Sequence, residues 1–109
     1  MLAKVNRLNK HGSFAYVYRK GKRVASTDLV LIYTPAKSVR VGFSVSNKVG
    51  KAVVRNKVKR RLRAITQIAL PRLVGCQAIV TANPSAAGKD YASLDEQLMR
   101  LFTRAGLIA

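Results

Sequence analysis

The stretch Arg40–Leu70, RVGFSVSNKVGKAVVRNKVKRRLRAITQIAL, changes its hydrophobic period once, and that change marks a strand followed by a long helix. Arg40 to Ser46 alternates strictly, which turns Val41, Phe43 and Val45 toward a core and Arg40, Gly42, Ser44 and Ser46 away from it. From Ala52 to Leu70 the period becomes helical. Val54, Val58, Leu62, Ile65 and Ala69 make one apolar stripe, and Pro71 closes the run.

The helix carries its charge in an equally ordered way. Between Lys51 and Arg63 there are seven basic residues in thirteen and no acid. At about 100° per residue, Arg55, Lys59 and Arg63 form one row of i, i+4 neighbours, with Asn56 and Arg60 in the row beside it. The five span an arc of roughly 140° away from the apolar stripe. Like charges at this spacing cost an isolated helix roughly a few tenths of a kcal/mol per pair, so a merely solvated face would be expected to interleave Glu. The absence of acids favours a surface for a polyanion. Lys57 and Arg61 fall off the arc, and Arg61 is expected to lie along the edge of the core.

Working outward, Gly12 and Ser13 open a short helix in which Phe14, Val17 and Tyr18 share a face, with Gly21 as its C-cap. Arg23–Ala25 and Leu29–Thr34 read as a hairpin turning at Ser26, Thr27 and Asp28, and Pro35 ends it. Gln77–Ala82 is a short apolar strand before the turn dipeptide Asn83-Pro84. Ser93 and Glu96 match a capping box that starts a last helix, with Leu94, Leu98, Leu101 and Phe102 as its buried stripe and Gly106 beyond its end. The order is α-β-β-β-α-β-α, an α+β chain in one domain over residues 1–109.

Composition narrows the function. Lys and Arg total 21 against four acids, a formal charge of +17, which repels itself unless a nucleic acid or an anionic membrane neutralises it. No apolar run approaches the roughly 18 residues of a membrane span. The basic helix also has no aromatic residue of the kind that seats a helix in a membrane surface. Cys76 is the only cysteine, which excludes an internal disulfide, fits a reducing cytoplasm and reads as a small buried apolar residue. His11 is the only histidine and Asp28 the only acid in the first 89 residues. A two-histidine ribonuclease site therefore lacks its second histidine, a Ser-His-Asp arrangement has no base beyond His11 itself, a carboxylate-bound metal pair has only Asp28 near the basic segments, and His11 reads as a polar surface residue. Phe14, Tyr18 and Tyr33 could stack on unpaired bases, although their spacing favours packing against the sheet. Gly42 and Ser44 would let a nucleic-acid backbone come close, and an ordinary solvated strand face fits them equally well. A structural ribosomal protein would share the size and charge. A DNA groove reader is less favoured, because arginines and lysines with one Asn and no Gln before Arg63 suit backbone contact better than base readout.

The segment VGKAVVRNKVKRRLR from Val49 to Arg63 resembles the signature of the bacterial ribonuclease P protein component. RVGFSVSNKVG from Arg40 and NRLNKHGSF from Asn6 resemble that family's two other characteristic stretches, in the same order. Asn47 stands where the family often has Lys, and Tyr18 where Phe is frequent. The resemblance implies a basic subunit of a large catalytic RNA that, with Mg2+ required by the RNA and no cofactor on the protein, hydrolyses the 5′ leader from precursor tRNA. It implies that Arg55, Asn56, Lys59, Arg60 and Arg63 hold the catalytic RNA, with Arg7, Lys48 and Lys51 as supporting basic contacts. Phe14, Tyr18 and Tyr33 would line a cleft for the leader. It further implies a cytoplasmic protein, monomeric and one-to-one with its RNA. The implied fold is a two-layer α/β sandwich like the second domain of ribosomal protein S5, with a left-handed β-α-β crossover where elementary packing would favour a right-handed one.

Overall fold

Alternation along the strands sorts the apolar side chains onto the two faces of a single sheet, and the helices divide between those faces. The computed structural model describes residues 6–8 and 11–108, the side chains of 11–13 excepted. The elements are α1 (His11–Lys20), β1 (Lys22–Ala25), β2 (Leu29–Pro35), β3 (Val39–Val45), α2 (Ala52–Ala69), β4 (Cys76–Ala82) and α3 (Tyr91–Arg104), in the expected order. Asn9, Lys10 and the side chain of His11, on which part of the opening motif falls, lie outside the described residues.

The sheet order is β1-β2-β4-β3. β1 and β4 each pair antiparallel with β2, while β3 and β4 are parallel neighbours. Leu29, Leu31, Val41, Val45, Ala78 and Val80 face α2 and α3, whose Val58, Leu62, Ile65, Leu94, Leu98, Leu101 and Phe102 complete the main core. On the opposite face Ile32 and Ile79 pack with Val17 of α1 and with Leu8. The two-layer sandwich of sheet, α2 and α3 thus carries α1 as a partial cover on its far side.

The hand of the crossover follows from Val41. Its side chain lies in the core beneath α2, and its carbonyl points away from β4, accepting the Leu8 N–H at 3.1 Å on the outer edge of the sheet. In an extended L-residue, chain direction, side chain and carbonyl have a fixed chirality. With the chain running away from the viewer and α2 above, the carbonyl of Val41 points right, so β4 lies to the left. A chain that rises over the sheet and descends to the left traces a left-handed turn. The short link explains how the exception to the usual hand is held: a three-residue 3-10 turn, Asn47–Val49, and Gly50 are almost all that separate β3 from α2.

Two local expectations need revision. The N-cap of α3 is Asp90, whose carboxylate accepts the Ser93 N–H at 2.9 Å. Ser93 is therefore inside the first turn, and Glu96 pairs with Arg100 at 2.7 Å instead of closing a capping box. Gly21 follows α1 but has no positive φ. It is required because a Cβ there would lie 2.7 Å from Ile32 Cγ2 and still nearer the Val17 carbonyl. The end of α3 does use a left-handed glycine: Gly106 has φ 73°. Its N–H donates to the Thr103 carbonyl at 3.0 Å and that of Leu107 to Phe102 at 2.9 Å, which satisfies the last carbonyls of the helix.

Candidate nucleic-acid interface

The buried side of α2 consists of Val58, Leu62, Ile65, Thr66 and Ala69, and the Thr66 hydroxyl is satisfied by donating to the Leu62 carbonyl at 2.9 Å. This orientation leaves Asn56, Arg60 and Arg63 exposed, with Arg55 and Lys59 half-exposed. All five stand on one side of the helix, as the spacing requires. The arc is skewed, however: Arg55 and Lys59 sit at the border of the buried stripe, next to Thr66. Arg61 fixes the opposite border by donating from Nη1 to the Lys89 carbonyl at 2.6 Å, on the α3 side. The Arg55–Lys59–Arg63 row thus faces away from α3, where no other helix competes for it.

No carboxylate of the described residues pairs with this row. Among the described residues the ion pairs are Lys89 with Asp28 at 3.9 Å and Arg100 with Glu96 at 2.7 Å, both away from it. Lys51 is the N-cap of α2 and offers no side-chain cap, and the first turn holds no acid, so the positive end of the helix dipole adds to the same field. Lys48 and Lys51 are exposed and continue the basic surface toward β3. Arg7, bridged to Val41, lies on the outer edge of that strand.

α1 crosses the other face of the sheet. Its Phe14 ring lies over Gly42, where an added Cβ would meet Phe14 Cζ at 2.4 Å. The small residue therefore makes the seat for the ring, which is half-buried. The adjacent cross-strand row of Val30, Thr81 and Ser44, set in register by the β2–β4 and β3–β4 pairings, is half-exposed. Within that row the Thr81 hydroxyl oxygen is itself buried, and it has no hydrogen-bond partner among the described residues. Val30 and Thr81 are absent from the residues singled out by sequence. The alternation that marked Gly42 and Ser44 was the available signal, but only strand pairing shows which residues of β2 and β4 lie beside them. Tyr18 is on α1 and 47% exposed, as is Tyr16, which the spacing did not single out. Tyr33 is not with them: its register partners are Lys22 and Ala78, it packs against the main core, and it lines a separate recess with Val74 and Leu107. The three expected ring positions thus fall on two faces of the sheet.

The other reactive side chains have structural surroundings. Asp28 is 1% exposed and accepts a 2.6 Å bond from the Gln97 amide. Burial alone would raise its pKa, but the nearby Ser85, the hydrogen bond from Gln97 and the charge of Lys89 hold it below the ordinary carboxylate value. Cys76 is buried, and desolvation pushes its thiol up to about 11, which disfavours a thiolate nucleophile. Among the described residues no three His, Cys, Asp or Glu side chains gather in a way that could hold a metal ion. No helix of the described chain is long and apolar enough to cross a membrane.

Comparison with known proteins places this geometry. Residues 2–106 match the family model described as Ribonuclease P. The chain is 37% identical over 110 residues to the ribonuclease P protein component of Clostridium acetobutylicum, covering 96% of this chain and 92% of that one. It is 43% identical over 91 residues to the protein of the same name from Thermus thermophilus, covering 83% of this chain and 54% of the longer relative. The fold superposes on the Staphylococcus aureus RNase P protein with a TM-score of 0.90 at 28% identity, over 97% of this chain and all of that one. The Thermotoga maritima protein gives 0.83 at 26% identity, over 90% and 98%.

Proposed function

The chain belongs to the bacterial ribonuclease P protein family, the protein component of a ribonucleoprotein that processes tRNA, and from that premise we propose that its two exposed surfaces divide the RNA between them. The side of α2 bearing Arg55, Asn56, Lys59, Arg60 and Arg63 holds the catalytic RNA, with Lys48, Lys51 and Arg7 extending the contact. The face formed by α1 and the half-buried row Val30–Thr81–Ser44 takes the single-stranded 5′ leader of precursor tRNA, with Phe14 and Tyr18 supplying rings for unpaired bases. Tyr33, on the far face, has no part in that stacking surface.

The observation that carries this reading is the uncompensated row on α2. Three cations at i, i+4 spacing with no carboxylate partner among the described residues are held together at a cost that a bound polyanion offsets. The chemistry then falls to the RNA: hydrolysis of the phosphodiester, and the Mg2+ it uses, belong to the catalytic RNA. The protein crowds cations against phosphates that would otherwise need more Mg2+, and it favours precursor over product by gripping the leader. One protein chain per RNA, in the cytoplasm, is the assembly this implies.

The experiment mixes the protein with a bacterial ribonuclease P RNA and a precursor tRNA at low Mg2+. Release of the 5′ leader is expected from the mixture and from neither component alone. Phe14→Ala should weaken the preference for precursor over mature tRNA while leaving binding of the catalytic RNA intact. Leader release by the protein alone would overturn the division of labour.

A further inference from the structure

Gly50 stands between the Asn47–Val49 turn and the first turn of α2, with φ 154° and ψ −169°, a backbone region open essentially to glycine. A Cβ there would lie 3.1 Å from both Cβ and Cγ1 of Val54. Its carbonyl oxygen accepts a hydrogen bond from Arg55 Nε at 3.1 Å. The main-chain N–H of Arg55 donates to the Lys51 carbonyl at 3.0 Å, so backbone and side chain of this arginine are tied to the same turn.

A guanidinium has donors on more than one edge. With Nε–H committed inward to Gly50, the edge carrying Nη1 and Nη2 remains for a second partner. A fork already fixed in place loses less rotamer freedom when it pairs with a phosphate than a free side chain does. Arg55 is half-exposed at the border of the basic row, which leaves that outer edge within reach of a ligand lying along α2.

We infer that Gly50 is a positioning residue for RNA binding: its glycine-only backbone aims the carbonyl that anchors Arg55 Nε, and the anchored guanidinium takes one RNA phosphate through its two terminal nitrogens. This rests on α2 being the RNA-binding face.

The test measures affinity of the whole protein for a bacterial ribonuclease P RNA over a salt series, with thermal unfolding of each variant alongside. Arg55→Lys keeps the charge but lacks the Nε–H, and is expected to bind roughly tenfold more weakly, close to Arg55→Ala. Gly50→Ala should lose a similar factor with Arg55 present and little more once Arg55 is Ala. Wild-type affinity for Arg55→Lys would overturn the inference. So would an equal loss from Gly50→Ala in both backgrounds, because glycine would then serve the fold alone. Should Gly50→Ala not fold, Arg55→Lys decides the matter by itself. If Arg55→Ala binds like wild type, this inference falls and the rest of the basic face stands. Failure of the wild-type protein to bind the RNA would overturn both.

Discussion

Asp28 shows how a single residue can be visible in sequence and still hide its role. It is the lone acid of the first 89 residues, yet its partners come from far along the chain. Gln97 donates to its carboxylate at 2.6 Å, accepts its backbone N–H at 2.9 Å and accepts the Ser26 hydroxyl at 2.7 Å. One glutamine thus clasps the β1–β2 turn to α3. Because the folded pKa of Asp28 is depressed, the carboxylate contributes stability above its unfolded value of about 3.9, and that contribution disappears as pH falls through the folded value. Denaturant unfolding from about pH 6 down to about pH 3 is expected to show the wild type losing more stability than Asp28→Asn, the two curves converging toward acid. Parallel curves would show that the clasp does not depend on the charge. Cys76, by contrast, was fully legible: a lone cysteine at the start of an apolar strand, read as a small apolar residue and buried in the structure.

The elements themselves were legible because each carries a clean period, and the failures have physical causes. The sequence Asp90-Tyr-Ala-Ser93-Leu-Asp-Glu96 offers two N-caps three residues apart. The earlier one prevails, adding a turn to α3 and leaving Ser93 with only a 3.4 Å contact from Gln97. Asp90→Ala is therefore expected to lower stability by about 1 kcal/mol, while Ser93→Ala changes it by a few tenths of a kcal/mol or less, read by thermal or denaturant unfolding. The reverse ranking would restore the capping box. Tyr33 packs against the main core, as its spacing favours, while the resemblance groups it with Phe14 and Tyr18; which face it takes is hidden in the sequence. Leu29 to Tyr33 is a continuous apolar run in a strand buried on both faces, so periodicity cannot assign a face to any one residue. Only the pairing of Tyr33 with Lys22 and Ala78 does so. The side of the sheet taken by α1 was equally hidden, since a short amphipathic helix fits either face, and the choice is fixed by Gly42 and Gly21 making room for it. The basic arc of α2 needed no tertiary information, because cations and apolar stripe lie on one helix and their relative angle is set by helix geometry.

At the scale of the whole molecule, a charge of +17 on a body with a radius of gyration of 12.6 Å opposes compaction, and the core beneath α2 and α3 must hold against it. The left-handed crossover matters here. It puts α2 on the same face of the sheet as α3, with the row Arg55–Lys59–Arg63 looking away from α3, while α1 and the proposed leader surface occupy the opposite face. Two RNA segments could then be held at once without sharing cations. The measurement that tests this most directly is the affinity of the protein for a bacterial ribonuclease P RNA across a salt series, for the wild type and for Arg60→Ala with Arg63→Ala, with circular dichroism as a check on folding. A steep linear fall of log affinity with log salt is predicted for the wild type. The double variant should be folded and weaker, with a slope shallower by about two, one for each lost phosphate contact. A flat salt dependence, or a folded double variant that binds with the wild-type slope, would contradict the claim that this face of α2 grips the RNA.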